Sequence, residues 1–175
     1  MQFMTPVLRK FPLTRWPLLL AGGSLSLLLG AWGFQYIGHY DPCALCYDQR
    51  HIHMAVIGLG LFSGIALIVK PSLARHAPWS IFAIALVLLY SAGFSAWHAG
   101  IEYDWWAGPA TCTTNGVTEV NLAELMATLN GERPAVLCDE AAWTLMGISM
   151  AGYNALISLG MAVMAGLVGY KGLKG

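Results

Sequence analysis

The residues of this 175-residue chain best suited to chemistry are Cys43-Ala-Leu-Cys46, with Arg50 four positions on, and a second cysteine pair, Cys112 and Cys138. A Cys-x-x-Cys pair can close a disulfide, hold one thiol as the nucleophilic thiolate, or bind a metal ion, and its surroundings decide which. If a helix begins near Cys46, Arg50 lies one turn further along the same face, where its guanidinium can stabilise a thiolate at Cys46. His51, His53 and His98 flank the same region, with Glu102 four residues beyond His98. A histidine there could move protons, because its charge changes near neutral pH. Plainer readings stand beside these: Arg50 reaching up to lipid phosphates, and the histidines as polar residues of an interface.

What must position these groups is a membrane. The chain is 57% hydrophobic and 10% charged, with mean hydropathy +0.61, whereas a typical soluble domain carries roughly 25% charged residues. Four uncharged stretches, Trp16 to Tyr40, His51 to Val69, His76 to Ile101 and Ala141 to Tyr170, can each supply the roughly 20 residues of a transmembrane helix. The expected fold is all-α, a single membrane domain built as a four-helix bundle. Its spans should cover about 16–38, 51–69, 78–100 and 142–169, with outer loops at about 39–50 and 101–141. Arg9 and Lys10 before an apolar run suggest a signal peptide, but the run is too long and has no small-x-small cleavage site, so it reads as an uncleaved first span.

Charge orients the bundle. Arg9, Lys10, Arg15, Lys70, Arg75, Lys171 and Lys174 fall on one side, which places both termini in the cytoplasm. The other side holds Arg50, Arg133 and all nine acidic residues, so the zero net charge hides a segregation of sign. Arg50 breaks that pattern beside the cysteines. All four cysteines lie in the two outer loops, the side on which disulfides persist.

Asp41-Pro42 makes the first outer loop a tight turn that holds Cys43 and Cys46 at the lipid boundary. The second is long enough to meet a soluble partner. Within it Leu122, Leu125, Met126 and Leu129 recur at helical spacing, and Asn121 with Glu124 resembles a capping box. This predicts a short amphipathic helix over 121–130, lying on the membrane surface or packed on the bundle. Gly60 and Gly64 form a small-xxx-small face for close helix approach. Trp16, Trp79, Trp97, Trp105, Trp106 and Trp143 fit interfacial belts, the Trp105-Trp106 pair being the candidate lid or partner contact.

At the lipid boundary, a cation beside a thiolate also suits a ligand that gains negative charge, such as a quinone accepting electrons. The rival is a metal site, but Cys112 and Cys138 lack the close spacing of paired zinc ligands. A further rival makes the second pair a static staple, which would stabilise the fold by about 3 kcal/mol.

Pro42-Cys43-Ala-Leu-Cys46-Tyr-Asp-Gln49-Arg50 resembles the signature of the DsbB family, bacterial inner-membrane proteins that form disulfides. The four spans, His98-Ala-Gly-Ile-Glu102, Trp105-Trp106-Ala-Gly-Pro109 and Thr111-Cys112-Thr are also similar to that family, and the stretch 113–137 matches least. The resemblance implies a relay. A reduced periplasmic DsbA-like thioredoxin-fold protein would attack a Cys112–Cys138 disulfide at Cys112; Cys138 would exchange with Cys43; and Cys46 would pass electrons to membrane quinone, ubiquinone in preference to menaquinone. This is analogy with a known oxidising system. Arg50, His98 and Gln49 would contact the quinone. Membrane lipid is an expected partner, and neither a metal nor nucleic acid is. The alternative is a non-enzymatic membrane module that handles metal or assists assembly, with structural loop disulfides.

Overall fold

The computed structural model describes residues 11–110, 112 and 136–174. A 3-10 turn at Leu13–Arg15 leads into helix α1, Trp16–Tyr36. Asp41-Pro42 cannot continue that helix, because proline disfavours helical geometry in the residue before it. The chain turns through His39, at φ 60°, into helix α2, Ala44–Val69. A second 3-10 segment, Pro71–His76, carries it into helix α3, Ala77–Glu102, whose Pro78 sits in the first turn, where its missing N–H is no loss.

A two-stranded antiparallel hairpin, β1 (Thr144–Leu145) and β2 (Ile148–Ser149), precedes helix α4, Met150–Lys174. Its two-residue turn puts both Met146 and Gly147 at positive φ, as the right-handed twist of a hairpin demands. Two tyrosines hold it down. Tyr103 Oη donates to the Gly147 carbonyl at 2.8 Å and accepts from Ser149 N at 2.7 Å, and Tyr153 Oη donates to the Leu145 carbonyl at 3.0 Å.

Helix α3 packs chiefly against α4, and α1 against α2. The core between them includes Trp16, Leu20, Val56, Ile81, Leu88, Ala165 and Val168. The small face on α2 does what its spacing predicts. A Cβ at Gly60 would lie 2.5 Å from the Pro17 carbonyl oxygen and 2.8 Å from Ala21 Cβ, and one at Gly64 would lie 2.6 Å from Leu18. The apolar windows of the four helices are only 28% to 39% buried within the protein. Phe62, Val69, Leu86 and Tyr90 point outward, an arrangement that is stable only where the solvent is lipid. The protein is therefore the all-α four-helix membrane bundle expected, with each helix long and apolar enough to cross.

Two boundaries differ from the expected ones. Helix α2 starts at Ala44 rather than near 51, because the Cys43 side chain caps it, accepting from Cys46 N at 3.3 Å. Helix α4 starts at Met150 rather than near 142, because 144–149 form the hairpin. The amphipathic helix expected over 121–130 lies outside the described residues.

Candidate functional site

The end of α1, the start of α2, the end of α3 and the start of α4 meet at one end of the bundle, which also carries all four cysteines. Early nucleation of α2 puts Cys46, Gln49 and Arg50 on its first two turns, with Cys43 as its cap. Cys43, Leu45, Ile101, Cys112 and Cys138 form one buried cluster, with Cys46 and Phe94 packed against it. Cys112 and Cys138 are bonded to each other, with Cα atoms 5.3 Å apart. Cys43 and Cys46 are thiols whose sulfurs lie 3.1 Å apart. The two pairs, 66 residues apart from Cys46 to Cys112 in the sequence, thus share one apolar nest.

Cys43 is the more acidic kind of thiol. Its hydrogen bond with the Cys46 thiol lowers it from 9.0 to about 5, against the opposing effect of burial, and His98 adds in the same direction. His98 Nε2 stands 3.6 Å from Cys43 Sγ and 3.9 Å from Glu102 Oε1. The helix N-terminus that Cys43 caps favours negative charge there as well.

Arg50 has partners that its spacing along α2 does not suggest. It is 9% exposed, and its hydrogen bonds run to α1: Nη1 to Gln35 Oε1, and Nη2 to the Ala31 carbonyl at 3.3 Å. Its guanidinium also lies 5.3 Å from the centre of the Tyr47 ring. The imidazole of His98 faces the Cys43 sulfur. Arg50 joins Cys43, Cys46, Gln49, His53 and Asn154 on the wall of a cavity of about 390 Å³. Leu27, Ala31, Phe34, Trp143 and Ile157 supply its apolar walls. That volume lies within the range of small-molecule sites, as does the pattern of an apolar slot with a few convergent polar groups.

His98 is fully buried and stands behind Cys43 and Gln49, outside the cavity lining. Gln49 touches both: it lines the cavity, and its Nε2 lies 2.6 Å from His98 Nδ1. His53 is buried between Ser24 and Asn154, whereas His51 faces outward. Ser24, Gln35, Ser95 and Asn154 were missed by sequence reasoning. Their signal was available, since polar residues inside an apolar span are costly unless they serve a site or a partner. Trp106 closes over Gly100, donating from Nε1 to the Trp97 carbonyl at 2.9 Å.

Cys43, Cys46 and His98 could also hold a soft metal ion, since their ligand atoms lie within 4.8 Å of one another. Among the described residues this cluster offers three ligands, one short of a closed structural zinc site.

Comparison with known proteins shows the family. The profile described as "Disulfide bond formation protein DsbB" matches residues 13–168. The chain is 31% identical over 165 residues to disulfide bond formation protein B of Dechloromonas aromatica, covering 91% of this chain and 93% of that one. It is 26% identical over 166 residues to the protein of that name from Shewanella denitrificans, covering 89% and 86%. With disulfide bond formation protein B 2 of Pseudomonas savastanoi it shares 28% identity over 154 residues, covering 86% and 85%. No solved structure matches. Four membrane-spanning helices, two cysteine pairs in one buried cluster and a match over nearly the whole length establish that the chain belongs to the DsbB family of membrane oxidoreductases that form disulfide bonds.

Proposed function

We propose that this protein takes electrons from the dithiol of a periplasmic DsbA-like thioredoxin-fold protein and delivers them to a quinone of the bacterial inner membrane. The observation that carries the reading is the shared cluster: both cysteine pairs pack together, and the inner pair opens onto a cavity that Arg50 also lines.

In this reading a partner thiolate attacks Cys112 Sγ, the Cys112–Cys138 bond breaks, and Cys138 leaves as a thiolate. The partner's second thiol resolves the mixed disulfide, leaving the partner oxidised and Cys112 and Cys138 reduced. Cys138 then attacks Cys43 of an oxidised Cys43–Cys46 pair, and Cys46 leaves as a thiolate. Cys112 displaces Cys43 to close the outer disulfide again. Two electrons have moved from partner to inner pair, and thiol–disulfide exchange needs no other reductant.

The cavity suits a quinone head group. Phe34 and Trp143 offer flat apolar walls, and only two of the five N–H donors of Arg50 have partners among the described residues. A bound quinone would supply the terminal acceptor for two electrons and two protons. Arg50 and Gln49 would hold its polar end, and His98 would act from behind Gln49. Ubiquinone is the preferred species. The basic ends of the helices would face the cytoplasm, as would both termini.

The test is quinone bleaching by purified protein supplied with a reduced thioredoxin-fold partner. Turnover should vanish in Cys46→Ser. In Cys112→Ser, turnover with the partner should stop while the inner pair still oxidises, as thiol labelling would show. Normal turnover by Cys46→Ser would sink the proposal, and stoichiometric zinc retained on four unoxidised thiols would favour a metal-handling role instead.

A further inference from the structure

A chain of buried polar side chains, joined at the half-buried Asn154, crosses the bundle and ends at the inner cysteines. From helix α4, Asn154 Nδ2 donates to Gln49 Oε1 on α2 at 2.7 Å and to Ser95 Oγ on α3 at 2.8 Å. Ser95 Oγ in turn donates to Gln49 Oε1 at 3.1 Å. On the other side of the same amide, Asn154 Oδ1 lies 2.8 Å from His53 Nε2 and accepts from Ser158 Oγ at 3.2 Å. His53 Nδ1 reaches Ser24 Oγ on α1 at 3.2 Å. All four helices contribute, and Asn154 is the junction.

This connectivity has a direction. With two donors on its oxygen, the Gln49 amide must present its nitrogen to His98 Nδ1, 2.6 Å away. An amide nitrogen only donates, so Nδ1 must accept, and a neutral imidazole that accepts at Nδ1 carries its proton on Nε2. Nε2 is the atom that faces Cys43 Sγ at 3.6 Å and Glu102 Oε1 at 3.9 Å. By the same rule His53 donates from Nε2 to Asn154. Gln49, His53, Ser24, Ser95 and His98 are buried, so a reversed member would leave a buried donor facing a donor.

We propose that Asn154 is a positioning residue of the redox site: acting through Gln49, it holds His98 in the tautomer that points an N–H at the Cys43 sulfur. That hydrogen bond favours negative charge on Cys43 whenever the inner pair is reduced. The role assigned to the cysteine pair rests on the function proposed above; the tautomer itself does not.

Histidine ¹⁵N NMR of the reduced protein in lipid, without quinone or partner, reads the tautomer directly, with His98→Gln identifying the signal. The expected result for the unmodified chain is a neutral His98 protonated on Nε2; protonation on Nδ1 would overturn the proposal. Asn154→Asp keeps the shape and Oδ1 and, with its carboxyl ionised as the infrared carbonyl stretch would show, replaces the donor to Gln49 with an acceptor. It should turn the Gln49 amide around and move the His98 proton to Nδ1, while His53 keeps its proton on Nε2. A general structural disturbance would not single out one histidine in this way. If Asn154→Asp does not fold or keeps its carboxyl protonated, Asn154→Leu takes its place and should leave His98 as a mixture of tautomers. An unchanged His98 signal in the variant so used would refute the role of Asn154. A protein that shows the expected tautomers yet never bleaches quinone would overturn the proposed function and leave this inference standing.

Discussion

Replacing Arg50 with methionine separates an arginine that holds a ligand from one that merely ties two helices together. In the structure it does the second already, through Gln35 and the Ala31 carbonyl, and it lines the cavity with N–H donors that have no partner among the described residues. A hydrogen bond from a charged donor contributes about 1.5–3 kcal/mol, so losing one to a ligand should raise the apparent KM for quinone roughly ten- to a hundredfold. Arg50→Met also strips donors from two acceptors on α1, which should cost about 1–3 kcal/mol of stability for each acceptor left buried and unsatisfied. Arg50→Lys keeps the charge but has one compact head in place of a fork, so it can serve α1 or the ligand but not both, and its KM should fall between. The assay is initial-rate quinone bleaching across quinone concentrations, alongside thermal unfolding in the same detergent. An unchanged KM with a reduced kcat would refute the reasoning, because it would mean that Arg50 acts on the sulfur chemistry and not on ligand binding.

Gly60→Val forces a side chain against the Pro17 carbonyl, which no rotamer change relieves, and should destabilise the protein by about 1–3 kcal/mol; an unchanged unfolding temperature would mean that α1 does not sit on α2 as described. Gly100→Ala places a Cβ 2.1 Å from the Trp106 ring. Trp106 should be expelled from its contact with the Trp97 carbonyl, shifting tryptophan fluorescence to the red, and an unaltered spectrum would contradict that contact. For the reduced protein, alkylation of Cys43 should stay fast from neutral pH down to about 5. The sign follows from the lowered value: thiolate stabilisation is present above it and is lost as pH falls through it, whereas an ordinary thiol would slow about tenfold per unit throughout this range.

How much was legible in the sequence differs between elements for physical reasons. The spans could be read because a lipid solvent imposes length and apolarity on each helix separately, and Gly60 with Gly64 could be read because close approach requires missing side chains at fixed spacing. The start of α2 was harder, since the uncharged run begins only after Arg50, whereas the helix begins where Cys43 can cap it. The hairpin at 144–149 was hidden because its residues are as apolar as the span that follows them. Arg50 was recognised as exceptional from charge alone, but its partners Gln35 and Ala31 lie on another helix, and spacing along α2 does not reveal them.

By itself, then, the sequence determined that this is a membrane bundle with two cysteine pairs at one end, because hydropathy, charge segregation and residue type are local properties of the chain. The tertiary structure alone decided which groups meet. It brought Cys43, Cys112 and Cys138 into one cluster, set His98 against the Cys43 sulfur, tied Arg50 to α1, and made Asn154 the junction of polar groups from four helices. Those contacts join residues up to 105 positions apart. They depend on how the helices pack and rotate against one another, which the periodicity of any single helix does not contain.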